Sequence, residues 1–219
     1  MVARLRAMGT DRDLAGMARF GINVDNAVGV GMTALRRLAK DLPRGHRLAA
    51  DLWDTGVHEA RILASIVDRP DQVTAGQMDR WARAFDSWDL CDQCCQNLFW
   101  RTRYADRKAR TWAGRRPEFV KRAAFALMAS SAVKDRAAPD DRFLSYLELI
   151  EREATDPRNF VRKAVNWALR QIGKRNRRLH RAAVASARRI GRMDDRTALW
   201  VAGDALRELR DPRTIERLA

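Results

Sequence analysis

Along this chain apolar residues recur at intervals of three and four, the spacing that lines one face of a helix. No stretch alternates with the period of two that a half-buried strand requires. Glycine, proline and capping residues cut the pattern into segments. Short helices are predicted at Ala3–Met8 and Leu14–Phe20, then a turn at Gly21–Asn26 and a helix from about Ala27 to Lys40, ended by Pro43. Two pairs follow, Gly45–Trp53 with Val57–Val67 and Thr74–Phe85 with Ser87–Trp100. Thr74 and Gln77 have capping-box spacing, and Ser87 is a candidate N-cap with Asp89 in the first turn, where the helix dipole favours negative charge. Tyr104–Trp112, Pro117–Val133, Asp140–Ala154, Pro157–Ile172, Asn176–Met193, Arg196–Arg207 and a last turn from Pro212 complete the chain.

The second helices of the clearest pairs begin near Val57, Ser87, Pro117 and Pro157, at the spacing of tandem two-helix repeats. The prediction is an all-α chain forming a single domain over residues 1–219. Antiparallel helix pairs would stack in a curved HEAT/armadillo-like solenoid whose second helices line a basic concave face. A globular helical bundle is the structural alternative.

Charge changes this picture from architecture to partner. The 219 residues carry 43 Lys+Arg against 28 Asp+Glu, a formal net charge of +15, and only six of the basic residues are lysine. From Pro157 onward there are 17 basic and 6 acidic residues. Arginine forks bind two phosphate oxygens at once, so a basic surface of this kind points first to nucleic acid. The alternative is a solvated, arginine-rich surface. The three cysteines, Cys91, Cys94 and Cys95, crowd one helix, and His46, His58 and His180 are scattered. That excludes a disulfide scaffold and leaves no zinc-ligand spacing, so buried helical thiols are expected and no metal or cofactor. No apolar run reaches the length of a membrane span and no secretory h-region opens the chain, so a soluble, cytoplasmic monomer is expected.

The second helices carry the candidate chemistry. Trp88 and Asp92 lie four residues apart, one above the other on a helix face beside the stripe of Leu90, Cys91, Cys94 and Leu98. Lys121 and Arg122 stand at the margin of the next apolar stripe. Trp167 sits among Lys163, Arg170 and Lys174, with Arg175 following. Basic side chains on such a face would hold a phosphate backbone, and indoles could pack on a sugar or base. A carboxylate among them repels phosphate, so its presence suggests that positive charge develops beside it. Glycosidic cleavage passes through an oxocarbenium-like state, which a carboxylate stabilises while orienting water. An N-alkylated purine is already cationic and leaves without a general acid, so one aspartate suffices. For His58 and Glu59, adjacent on a helix and pointing apart, inter-repeat hydrogen bonds are expected rather than an acid–base pair. Trp53, Trp81, Trp100 and Trp112 are expected to be packing residues.

The segments Ser87-Trp88-Asp89-Leu90-Cys91-Asp92, Phe119–Ala124 and Phe160–Arg170 resemble the AlkD-type bacterial DNA alkylation-repair glycosylases, which are HEAT-like repeat proteins. Leu52–Arg61 is similar to the family's early repeat, and the likeness runs from about Gly21 to Arg192. The resemblance implies that Asp92 is the catalytic carboxylate, that Trp88 and Trp167 pack on the damaged nucleotide, and that Arg122 binds phosphate. It implies excision of N3- and N7-alkylated purines from double-stranded DNA, without metal, without lyase activity and without deep base flipping. Cys91-Asp92-Gln93 and Cys94-Cys95 are this chain's own context, and the short region before Gly21 is not aligned with the family. Two further readings stand beside excision: a non-catalytic repeat protein that binds damaged or branched DNA, and a protein-interaction scaffold.

Overall fold

The computed structural model describes residues 1–218, and all regular structure among them is helical. The helices are α1 (Val2–Met8), α2 (Asp11–Arg19), α3 (Met32–Lys40), α4 (His46–Asp54), α5 (His58–Val67), α6 (Ala75–Arg83), α7 (Trp88–Asn97), α8 (Ala105–Ala113), α9 (Glu118–Lys134), α10 (Asp140–Arg152), α11 (Asn159–Gly173), α12 (Arg177–Ile190), α13 (Arg196–Leu209) and α14 (Pro212–Glu216). A one-turn 3-10 helix, Phe99–Arg101, follows α7. The helices gather into two compact units, Met1–Tyr104 and Ala105–Ala219.

In the first unit α5 is central, packing against α1, α3, α4 and α7. Trp53 of α4 and Trp81 of α6 stack with centroids 4.0 Å apart and planes 2° from parallel. Both are buried packing residues. Thr74 Oγ1 accepts from Gln77 N (3.1 Å), but the Gln77 amide donates to Asp68 (2.7 Å) instead of reaching back, so only half of the expected capping box forms. The helix expected from Ala27 begins at Met32. Residues 28–30 run past α5 with their backbone N–H groups aimed at one carboxylate: Glu59 accepts from Val28 (3.0 Å), Gly29 (2.8 Å) and Val30 (3.2 Å). Thr10 N donates to Gly29 O (3.0 Å), and Gly29 sits at φ +77°. Gly9 is pressed so close that a Cβ there would meet Val28 O at 1.7 Å. A helix through these residues would turn three backbone donors away from the carboxylate that accepts them.

In the second unit the helices form two rows. α11 packs between α9 and α13, α10 contacts α8 and α12, and the rows are joined by the pairs α8/α9, α10/α11 and α12/α13. α9 has almost no polar face: from Val120 to Ala132 every residue but Lys121 is buried, as befits a helix covered all round. Side chains of Thr10, Thr74, Asn176, Asp195 and Asp211 cap their helices by accepting a first-turn N–H.

Polar ties join successive repeats at separations of 31 to 38 residues. In the first unit these are His58–Asp89 and Ser65–Asn97. In the second they include Lys121–Glu153, Arg122–Phe160, Asp140–Asn176, Asn166–Asp204 and Lys174–Glu208.

Candidate nucleic-acid interface

In the first unit α7 begins at Trp88, after Ser87 in an extended conformation. Ser87 does not cap the helix with its side chain, contrary to expectation. Its hydroxyl oxygen accepts from Asn23 N (2.9 Å), tying the turn before α3 to the start of α7. The Trp88 indole N–H donates to Phe20 O (2.9 Å), so the chain leaving α2 fixes the ring. Asp92 is one turn further along α7 and only 8 % exposed, between the fully buried Cys91 and Cys94. A carboxylate this far from water acts on a nearby cation with little screening. The helix ends at Asn97, so Trp100, expected inside it, falls in the 3-10 turn and donates to Gln96 O (3.1 Å).

His58 and Asp89 brace the same helix. His58 Nε2 meets Asp89 Oδ2 at 2.8 Å in a buried contact between α5 and α7, and His58 N donates to Asn26 O (2.9 Å). Burial pushes the imidazole pKa down, but the hydrogen bond to Asp89 and the charges of Asp89, Glu59 and Asp86 outweigh it and hold the value above 6.5. The three cysteines are buried free thiols, and burial pushes Cys94 well up, which makes it a poor nucleophile.

In the second unit Arg122 is buried on α9, and its Nη1 donates to Phe160 O (2.6 Å). Lys121 bridges Glu153 (2.7 Å) and Asp156 (3.0 Å). On α11, Trp167 is half-buried and Lys163 is exposed, without an ion pair among the described residues. Arg170 and Lys174 converge on Glu208 of α13, Lys174 at 2.5 Å. Arg175 points elsewhere: its guanidinium donates to Ala132 O (3.0 Å), Arg136 O (3.1 Å) and Ala138 O (3.0 Å) and lies over the Phe143 ring. The structure therefore gathers Arg170 and Lys174 around one carboxylate, places Trp167 and Lys163 on the same helix, and gives Arg175 an anchoring geometry.

Sequence reasoning did not foresee the parts of this arrangement that come from far along the chain. Phe20 O, Asn23 N and Glu59 have no local signature. Glu153, Asp156 and Glu208 answer basic residues more than thirty positions earlier. Among the described residues no group of three or more His, Cys, Asp or Glu could hold a metal ion, and no helix is long and apolar enough to cross a membrane.

Paired helices, tied to the next pair at similar sequence intervals, define an all-α HEAT-like repeat protein. A solved structure described as "a new family of proteins related to the HEAT-like repeat DNA glycosylases with affinity for branched DNA structures" has the same fold, with a TM-score of 0.77 over 94% of this chain and 92% of that one, at 20% identity. The model of the family "DNA alkylation repair enzyme" matches residues 1–209, and the chain belongs to that family. A search of curated proteins found no match.

Proposed function

We propose that the chain is a monofunctional DNA glycosylase that excises cationic N3- and N7-alkylated purines from duplex DNA, with Asp92 as its catalytic carboxylate. The observation that carries the reading is the burial of Asp92 one turn from an anchored Trp88, in a member of an alkylation-repair family. As the glycosidic bond breaks, the base leaves with the bonding electron pair, which neutralises its positive charge. The sugar is left as an oxocarbenium ion. Asp92 stabilises that cation and orients the water whose oxygen then bonds to C1′, while the proton this water loses passes to the Asp92 carboxylate and from there to solvent. Trp88 packs on the sugar, and Trp167 has the corresponding role on α11. Arg122 and Lys163, with Lys121, Arg170, Lys174 and Arg175 in support, hold phosphates or the helices that present them.

The test measures free 7-methylguanine released from methylated duplex DNA, beside DNA affinity. Wild type is expected to release base. Asp92→Asn is expected to lose release by roughly 10²- to 10⁴-fold while keeping or raising affinity, because a charge that repels phosphate has gone. Unchanged release by the variant refutes the assignment of Asp92. A second reading, binding of branched DNA without excision, is favoured by the described affinity of the solved relative. It predicts junction binding by a wild type that releases no base.

A further inference from the structure

The arginines of α12 divide into two sets. Arg178 is paired with Asp141 (2.9 Å) and Asp140 (3.7 Å), and Arg189 with Glu151 (2.6 Å), so these point toward α10. Arg177, Arg181 and Arg188 are exposed and have no ion-pair partner among the described residues. At 3.6 residues per turn these three fall within about 40° of one another, opposite the buried face of Leu179, Ala183, Ala187 and Ile190. Beside them runs an open groove of about 350 Å³ between α12, the end of α13 and α14. Val184, Ala185, Leu209 and Ile215 line it together with Arg181, Arg188 and Arg210, and none of its described lining residues is acidic. His180 at one end is held by Gly173 O (3.0 Å at Nδ1).

We propose that this face of α12 is a second phosphate-backbone site, which holds a further arm of a branched DNA. Arg181 and Arg188 are seven residues apart, about 10 Å along the axis, which spans about three nucleotide rises of a strand. Guanidinium groups without an ion-pair partner among the described residues, beside an open groove with apolar lining, match a sugar-phosphate edge, whose phosphates take the forks and whose sugars lie against the groove. α12 belongs to the row of α8 and α10, whereas the exposed Lys163 lies on α11 in the other row. The unit thus offers basic side chains on both rows, which one linear duplex does not need and a junction can use. The inference rests on the DNA-binding part of the function proposed above.

The experiment compares the full-length protein on a four-way junction and on a linear duplex of the same arm sequence, by fluorescence anisotropy at two salt concentrations. Wild type is expected to prefer the junction. The double variant Arg181→Gln/Arg188→Gln should weaken junction binding roughly tenfold, lower the junction's salt slope by about two, and leave linear-duplex affinity within about twofold. Both positions are solvent-facing, and an unchanged thermal midpoint confirms folding; Arg181→Lys/Arg188→Lys is expected to recover part of the loss. An unchanged junction-to-duplex ratio, or equal losses on both substrates, overturns the second site while leaving DNA binding intact. A wild type that binds neither DNA overturns the proposed function and this inference together.

Discussion

Glu59 lends itself to a quantitative test, because one buried carboxylate there serves three backbone donors. Oε1 accepts from Val28 (3.1 Å), Gly29 (2.8 Å) and Val30 (3.2 Å), whereas Oε2 accepts only from Val28 (3.0 Å). Glu59→Ala strands all three N–H groups. Charge-assisted hydrogen bonds contribute roughly 1.5–3 kcal/mol each, so the upper bound is about 9 kcal/mol. Residues 27–31 can open to water in the variant, which recovers solvation at the cost of the Thr10–Gly29 bond and the burial of Val30. The expected loss is therefore about 3–5 kcal/mol. Glu59→Gln is milder. With its oxygen in the place of Oε1 it still serves all three donors, losing charge and the second bond to Val28, for about 1–2 kcal/mol. Urea unfolding of the three proteins gives the order, and hydrogen exchange at Val28–Val30 localises it. A loss under about 1 kcal/mol in Glu59→Ala, or no difference between the two variants, refutes the reasoning.

Three further outcomes are expected. His58 has a raised folded pKa, so the stability it contributes is fully present below its unfolded value of 6.5 and is lost as pH rises through the folded value; the urea midpoint of wild type should fall across that window, and His58→Gln should remove that component. Asp156 is pushed up by burial but held at about 2 by hydrogen bonds from Arg158 and Lys121, against 3.8 unfolded; it contributes about 2 kcal/mol above that unfolded value and loses it as pH falls toward 2, so Asp156→Asn should flatten the acid limb of a stability profile. Gly9→Ala places a methyl group 1.7 Å from a backbone oxygen and should lower the thermal midpoint sharply, whereas Gly16→Ala, with open space around it, should not.

Helix number and order were legible because the apolar spacing, the prolines and a cap such as Thr74 all act within a few residues. The misplaced start of α3 has a physical cause: Ala27, Val28 and Val30 are apolar enough to read as helix, and the carboxylate that straightens them lies about thirty residues on. The pair Gly29 and Gly31 was the available signal. Ser87 looks like a cap because local geometry permits it, but Asn23 N captures its oxygen. The basic residues of α9 and α11 were identified, while their engagement was not, since Glu153 and Glu208 belong to the next repeat. No property of the chain within one helix reveals which arginine meets a carboxylate and which is left to solvent.

Within each unit the polar ties vary in chemistry from one repeat to the next although the helix pairing recurs. The ties are not copies of one pair: an imidazole meets a carboxylate at His58–Asp89, an ammonium meets two carboxylates at Lys121, and an amide meets a carboxylate at Asn166–Asp204. A helix pair cut out or duplicated would leave its neighbours facing the wrong group, with stranded charges on both sides of the splice. This chain therefore should not lengthen or shorten by whole modules as consensus repeat arrays do, and shuffled versions of it should fail to fold even though every module is intact.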